Sequence, residues 1–264
     1  MTAARFSAPK LMALGSGKGG TGKTFVTLAL AQALADRGER VLVCDADLGL
    51  SNTSVQLGLS EGGDLPGVLS GSVALVHAVV RVKIPEHAPF DLLSAPPGTG
   101  ALADSDGAAA RYLIDILRRA TQYERVLIDL GAGISDAVLT LAALADETIV
   151  VMTPDPSSLT DAYAFVKLMM RRSGGRLPSV LVNLATGVGE AKRSASALIH
   201  AAHTFLDADL ASIGHVPHDH RVGESIRRQS ALLALYPRCP AGEAITALAE
   251  FLGKPVLKIA SSLR

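Results

Sequence analysis

The sequence predicts an α/β fold: one doubly wound, mostly parallel sheet with helices on both faces. Short, continuously apolar runs alternate with longer stretches rich in Ala and Leu, as is typical of strands buried on both sides beneath helices. The length of 264 residues suits one such domain, and no low-complexity linker interrupts it. We therefore expect a single domain over residues 10–254, a flexible N-terminus at 1–9 and a tail at 255–264.

The predicted strands are runs of three to five mainly apolar residues, in which Val, Leu and Ile predominate. In chain order they are Lys10–Leu14, Val41–Cys44, Phe90–Leu93, Val126–Ile128, Thr148–Met152, Val180–Val182 and Ile213–Val216. Because ligands of such sheets bind at the carboxyl ends of the strands, the residues that follow each run are the candidates for a functional site.

The predicted helices occupy most of the gaps between strands. The first follows a Gly-rich turn and is closed by Arg37-Gly38. Two pieces rich in Gly and Pro, Glu61–Gly67 and Ala95–Gly100, are expected to be surface loops. The helices are predicted at Gly22–Asp36, Gly107–Ala120, Ser135–Ala145, Ser157–Arg172, Glu190–Phe205 and Gly242–Phe251.

Composition excludes several classes of protein. The 25 Lys and Arg residues balance 25 Asp and Glu, which argues against a general nucleic-acid coat protein. Cys44 and Cys239 fit no metal spacing and disulfides are not expected, so we predict a cytoplasmic protein. No apolar run is long enough to span a bilayer.

The strongest motif follows the first strand and opens the first helix. It fits G-x-x-x-x-G-K-[ST], whose glycines let several backbone N–H groups point at one phosphate group. Lys23 is expected to bridge the β and γ phosphates, and the Thr24 hydroxyl to ligate Mg²⁺. The motif is Gly17-Lys18-Gly19-Gly20-Thr21-Gly22-Lys23-Thr24.

Aspartates follow two of the predicted strands. Asp45 and Asp47 come after Val41–Cys44, and Asp129 follows Val126–Ile128. At the tips of adjacent parallel strands these carboxylates would lie beside the loop, hold Mg²⁺ and orient the attacking water. A single Asp at a strand end is often only a helix cap, but three beside a phosphate loop favour the functional interpretation.

These motifs resemble those of the MinD/ParA family. The extra lysine, Lys18, is typical of its deviant Walker A motif; Asp45–Leu50 is similar to its switch I, and Asp129–Ser135 to its Walker B motif and switch II. The likeness extends over nearly the whole chain and is closest to the FlhG (FleN/YlxH) branch, which regulates flagellar number and placement. That narrower match is carried by Thr153–Tyr163, Gly131–Ser135, Val216–Asp219 and Arg227–Gln229.

The resemblance implies a P-loop NTPase of the SIMIBI type that binds ATP or ADP with Mg²⁺ and forms a homodimer on ATP. Lys18 would reach the neighbour's phosphates and act in catalysis with Lys23, and Asp47 would position the hydrolytic water. Mg²⁺ would be served by Thr24, Asp45 and Asp129. Asn183, Pro217, His218 and Asp219 match the residues beside the adenine base.

Phe25 also belongs to the predicted nucleotide site, but it stands where many relatives have a second hydroxyl residue, which removes one possible phosphate contact. The N-terminus lacks the Gln-rich helix with which some FlhG proteins stimulate a GTPase, so the implied partner is an FlhF-like GTPase or another activator. The function implied is a slow, spatially acting ATPase switch.

The tail supports one further expectation. Val256, Ile259, Ala260 and Leu263 share one face of a short helix that Pro255 would start, so the tail could attach the protein peripherally to the inner face of the cell membrane. The alternative is a tail that packs on its own domain or frays.

Four other functions stay open. Basic pairs on predicted helices would favour a ParA-type partition ATPase if they converged on one face, although DNA is the less favoured partner. The others are a MinD-type division-site ATPase, an amidotransferase-type synthase and a metal-cluster carrier. The sequence offers no sign of the acceptor pocket that the synthase needs, and no cysteine pair for the carrier. His215, His218 and His220 suit a loop beside the nucleotide better than a metal site.

Overall fold

The computed structural model describes residues 7–47, 52–96 and 107–253, and eight strands are formed within them. The expected N-terminus lies largely, and the expected tail wholly, outside the described residues. The strands β1 to β8 are Lys10–Ser16, Val41–Ala46, Val80–Val82, Phe90–Leu93, Arg125–Ala132, Glu147–Met152, Ser179–Ala185 and Ala211–Pro217.

All eight strands lie in one sheet with the order β3-β4-β2-β5-β1-β6-β7-β8. Every neighbouring pair is parallel except β3 and β4, which are antiparallel. The chain moves from β1 to one side of the sheet for β2 to β5, and then to the other side for β6 to β8. The carboxyl end of β1 is therefore the point where the winding reverses, which is where such sheets bind ligands.

Helices cover both faces of the sheet, as predicted. The helices α1 to α11 are Lys23–Asp36, Thr53–Gln56, Leu65–Ser70, Leu75–Ala78, Gly107–Arg118, Asp136–Leu144, Pro156–Ser173, Val188–Leu206, His220–Arg227, Leu232–Leu235 and Pro240–Gly253. Helices α5 to α8 pack on one face, and α1, α10 and α11 on the other.

The first strand shows why its sequence is apolar throughout. Leu11 and Ala13 belong to the core beneath α5 to α8, whereas Met12 and Leu14 belong to the core beneath α1 and α11. Successive side chains of a strand point to opposite faces, so a strand covered on both sides needs apolar residues at every position.

The predicted elements all form; most strands are longer than predicted, and the helix bounds differ by at most two residues at either end. β5 continues beyond Ile128 through Asp129 to Ala132, and β2 includes Asp45 instead of ending before it. The sequence interpretation missed β3 and the short helices α2 to α4, α9 and α10, because three to eight residues give too little periodicity to identify an element.

The prediction that Glu61–Gly67 is a surface loop is wrong in its second half. Leu65 is fully buried and begins α3. Asp64 caps this helix by accepting a hydrogen bond from the backbone N–H of Gly67 at 2.8 Å, and Pro66 occupies its first turn. Of the other expected loop, only Ala95 and Pro96 fall within the described residues.

Candidate nucleotide site

The Gly-rich loop connects the end of β1 at Ser16 to the start of α1 at Lys23. Two of its glycines have no room for a side chain. A Cβ on Gly17 would lie 2.0 Å from the backbone oxygen of Asp161, and Gly22 combines a φ of +82° with the Asn183 amide 2.3 Å from where its Cβ would be. The loop therefore packs closely against α7 and β7, which fixes its curvature at the switch point of the sheet.

Lys23 lies in the floor of the loop and is 8% exposed. Its Nζ donates a hydrogen bond to the Ser16 hydroxyl at 2.8 Å, and that hydroxyl donates to the Lys18 carbonyl oxygen at 2.6 Å. Burial lowers the pKa of Lys23, while the negative charges of Asp129 and Asp47 oppose this shift. A buried ammonium of this kind is stabilised in its charged form when an anion binds beside it.

The Thr21 hydroxyl indicates whether a phosphate group fits the loop. It is fully buried, and no partner for it exists within the part of the chain that the structure describes. A buried hydroxyl is normally hydrogen-bonded, so a ligand oxygen is the partner that the site lacks. With Lys23 beside the same loop, the residues fit a nucleotide phosphate.

Asp45 and Asp129 are neighbours in register on β2 and β5, and they are 2% and 1% exposed. Burial and then the charge of Asp45 raise the pKa of Asp129 to about 7, although hydrogen bonds from Thr24 and Thr27 and the charge of Lys23 act in the opposite direction. Two buried carboxylates side by side are poorly neutralised by one lysine, and a divalent cation would relieve them. The predicted ligands Thr24, Asp45 and Asp129 are thus brought together.

Asp47 lies just beyond β2, on the side of the second switch. A Cβ on Gly131 would be 3.6 Å from an Asp47 carboxylate oxygen. Within the described ranges, no three His, Cys, Asp or Glu side chains form a metal-binding group.

Lys18 makes contacts that its sequence position does not reveal. Its Nζ lies 2.7 Å from the Asp155 carboxylate and 2.7 Å from the Ser157 hydroxyl. Hydrogen bonds from Lys18, then from Ser157 and Thr153, hold the pKa of Asp155 well below its usual range. Asp155 also caps α7 through the N–H of Ser158. The lysine predicted to reach a neighbouring subunit is therefore bound, in this structure, to its own α7.

The predicted base-binding residues lie together at the carboxyl ends of β7 and β8. The Asn183 amide donates to the Thr21 carbonyl oxygen at 2.8 Å. Both Asp219 oxygens accept backbone N–H groups, from Arg221 at 3.0 Å and from Ala241 at 3.4 Å, so this side chain joins the starts of α9 and α11. These side chains brace the site; their contact with a base, and that of Pro217 and His218, stays a prediction.

Phe25 lies in the first turn of α1, and its contact with a nucleotide stays a prediction. Its ring is 8% exposed and belongs to the core between the sheet and α1. Sequence reasoning also missed four polar residues whose side chains hydrogen-bond to site residues: Asp155, Ser157, Thr27 and Thr53. Only the Asp-Pro-Ser-Ser pattern at 155–158, a cap followed by Pro, was a readable signal for the first two.

Comparison with known proteins extends this account. The family model of the CobQ/CobB/MinD/ParA nucleotide-binding domain matches residues 12–233. The antiactivator FleN of Pseudomonas aeruginosa is 32% identical over 251 residues, which cover 91% of this chain and 85% of FleN. The flagellum site-determining protein YlxH of Helicobacter pylori is 25% identical over 252 residues, covering 92% and 81%.

Among solved structures, the septum site-determining protein MinD from Pyrococcus horikoshii, complexed with Mg-ADP, has a similar fold. It superposes with a TM-score of 0.76 over 93% of this chain and 96% of that one, at 24% identity. The predicted doubly wound fold is therefore confirmed.

Proposed function

The chain belongs to the CobQ/CobB/MinD/ParA family of nucleotide-binding domains, and we propose that it acts in the flagellar branch of that family as a slow ATP switch. As a P-loop ATPase it uses ATP and Mg²⁺. The similarity to FleN and YlxH over more than nine tenths of this chain supports a role in flagellar number or placement. In this role the MgATP-bound dimer binds a regulatory partner.

The position of Lys18 carries the proposal of a switch. Its side chain is 30% exposed, in an open depression of about 350 Å³ that Asp155, Leu184 and Glu190 also line. An ion pair this exposed contributes only ~0.2–1 kcal/mol, so Lys18 can exchange its own Asp155 for a phosphate of a facing subunit at little cost. Leu184 and Val188, 37% and 54% exposed, add apolar surface for association nearby.

The chemistry follows from the chain's own groups. Lys23 holds the terminal phosphates, the Thr21 hydroxyl gains its missing partner, and Asp47 orients water from beside the second switch. Magnesium, when bound, would neutralise charge on the phosphate oxygens next to Asp45 and Asp129. Lys18 from the facing subunit would stabilise the charge that develops on the phosphate group, so hydrolysis requires the dimer.

Two substitutions test this scheme. Lys18→Ala should keep nucleotide binding and lose ATP turnover, whereas Lys10→Ala, which removes an ion pair with Glu147 at the opposite end of β1, should leave turnover unchanged. Asp47→Ala should accumulate an ATP-bound dimer. Normal turnover by the Lys18 variant would contradict the role across the dimer.

A surface on α7 and α8 supports binding of a protein partner. Phe205 is 73% exposed, and its ring meets Tyr163 edge-on at 6.5 Å. Lys167 and Arg171 lie on the same side of α7, beside Leu206, and within the described residues neither forms an ion pair. This aromatic and basic surface suits an apolar partner segment that carries carboxylates, as an FlhF-like GTPase or another activator could present.

Binding of such a partner, measured by interferometry, should fall at least tenfold in Phe205→Ser. Phe251→Ser, which changes a ring of 56% exposure on α11, is the matched control and should bind normally. Equal binding by both variants would remove this surface from the proposal.

Attachment to a membrane rests on the tail, which lies outside the described residues. Among the helices described, none has both the length and the apolar character to cross a bilayer. α11 ends at Gly253, and the Arg125 side chain holds its end by donating to the Leu252 carbonyl oxygen at 3.3 Å. We propose that the tail at 255–264 binds lipid weakly and that two copies in a dimer bind well; co-sedimentation with liposomes, with ADP and with an ATP analogue, tests this.

The structure gives no support to the DNA-binding alternative. In three of the basic pairs, Arg118-Arg119, Arg171-Arg172 and Arg227-Arg228, one residue is neutralised by an ion pair. Arg118 pairs with Asp146, Arg172 with Asp136 and Arg228 with Glu224. They lie on different helices, α5, α7 and the end of α9, and the overall charge is zero. A salt-sensitive, ATP-dependent shift of nonspecific DNA would nevertheless decide for partition.

A further inference from the structure

Asp45 accepts hydrogen bonds from Asp47, within the first switch, and from Thr53, three residues beyond its end. One oxygen accepts the backbone N–H of Asp47 at 3.0 Å. The other accepts the Thr53 hydroxyl at 2.9 Å and the Thr53 N–H at 3.4 Å. Asp47 and Thr53, which are described on either side of residues 48–51, therefore both bond to one carboxylate.

Thr53 is an unusual residue for its surroundings. It begins the short helix α2, is fully buried, and yet carries a hydroxyl where a valine of the same shape would fit. A buried hydroxyl destabilises the fold unless it is paired, and its partner is the carboxylate predicted to serve Mg²⁺. A hydrogen bond to an ionised group is shorter and stronger than one between neutral groups, so it restrains Asp45 most when that residue is charged.

Asp129 also accepts a hydrogen bond from a buried threonine hydroxyl, but this hydroxyl has a second acceptor. The Thr27 hydroxyl, also fully buried, lies 3.1 Å from an Asp129 oxygen and 3.0 Å from the Lys23 carbonyl oxygen. One hydroxyl has a single proton to donate, so Thr27 divides it between the two acceptors. Thr53 has no such competing acceptor among its hydrogen bonds within the described residues.

We propose that Thr53 is a positioning residue, whose hydroxyl orients Asp45 for Mg²⁺ and thereby ties the start of α2 to the metal site. The inference rests on the proposed function, because it concerns the magnesium that accompanies the nucleotide. Groups that orient the ligands of a metal typically change its affinity ten- to a hundredfold when removed. Thr53 would thus set how strongly nucleotide binding depends on Mg²⁺, without touching the nucleotide.

The test measures the dissociation constant of a fluorescent ADP analogue in EDTA and in excess Mg²⁺, and divides the value in EDTA by the value in Mg²⁺. Thr53→Val should lower this ratio about tenfold by weakening binding only in Mg²⁺. Thr53→Ser keeps the hydroxyl and should keep the ratio. Thr27→Val should lower it about two- to threefold, given its divided bond.

Thr246→Val is the matched control, since it removes a hydroxyl bonded to the Gly242 carbonyl oxygen on α11, and it should leave the ratio unchanged. The inference is overturned if Thr53→Val keeps the full ratio, if Thr53→Ser loses it equally, or if binding in EDTA weakens as much as in Mg²⁺. The wild-type protein reports separately on the proposed function: absence of ADP binding in Mg²⁺ would contradict that function before any variant is compared. Should Thr53→Val not fold, a Thr53→Ser protein with a lowered ratio still overturns the inference.

Discussion

Replacing Asn183 with Ala should destabilise the phosphate loop, because the Asn183 side chain holds the loop by a hydrogen bond from β7. Asn183 is 2% exposed on β7, and its amide reaches across 162 residues of sequence to the Thr21 carbonyl oxygen at 2.8 Å. The substitution removes this donor and leaves the carbonyl without its side-chain partner. It also empties the space against which Gly22 packs.

An unsatisfied buried polar group costs about 1–3 kcal/mol. In a chain of this size each kcal/mol lowers the melting temperature by ~2–4 °C, so the variant should melt about 2–12 °C below the wild type. The same free energy corresponds to roughly five- to 150-fold weaker binding if the loop must be reordered by its ligand. Thermal unfolding without nucleotide and calorimetry with inorganic tripolyphosphate measure the two effects.

Tripolyphosphate separates the two possible roles of Asn183, because it has no base. A residue that braces the loop should matter to tripolyphosphate and to ATP alike, whereas one that only reads adenine should matter to ATP alone. Ser179→Ala, at the other end of β7, is the control. An unchanged melting temperature together with unchanged tripolyphosphate affinity would refute the bracing role.

The remaining predictions concern the loop and its acidic neighbours. Gly17→Ala should lower the melting temperature of the nucleotide-free protein, because the new Cβ would overlap the Asp161 backbone, whereas Gly19→Ala has its nearest atom at 3.9 Å and should melt normally; equal melting would contradict the packing. The pKa of Asp129 is raised to about 7, so between pH ~4 and 7 the folded state binds more protons than the unfolded one. The metal-free protein should therefore lose stability, on the order of a few kcal/mol at most, as pH rises through this range. In Asp129→Asn the melting temperature should vary less with pH over the same range. An equal pH dependence in this variant would show that another group causes it.

Long elements and the phosphate loop were predictable because their signals are local. Each main strand is covered on both faces, so its apolar run is visible in the sequence, and the loop is marked by eight consecutive residues. α3 was also readable from Asp64 and Pro66, but the glycines around them suggested a loop. The aspartates were found because a parallel sheet aligns its carboxyl ends.

Contacts between distant residues could not be read in the same way. The pair of Lys18 with Asp155 joins residues 137 apart, and Asn183 meets Thr21 across 162. In the sequence Thr53 is an ordinary residue after the switch, since nothing local shows that its hydroxyl bonds to Asp45. Such contacts depend on the order of strands and on how closely helices approach the loop, which a single sequence does not specify.

The central claim is that ATP, held by this loop, joins two copies of the chain. Light scattering coupled to size exclusion measures it most directly, with ADP and with a non-hydrolysable ATP analogue, each in Mg²⁺. A mass near 27.3 kDa with ADP and about twice that with the analogue is the predicted result. A wild-type protein that binds the analogue yet keeps the monomer mass at concentrations well above the dissociation constant would contradict the account.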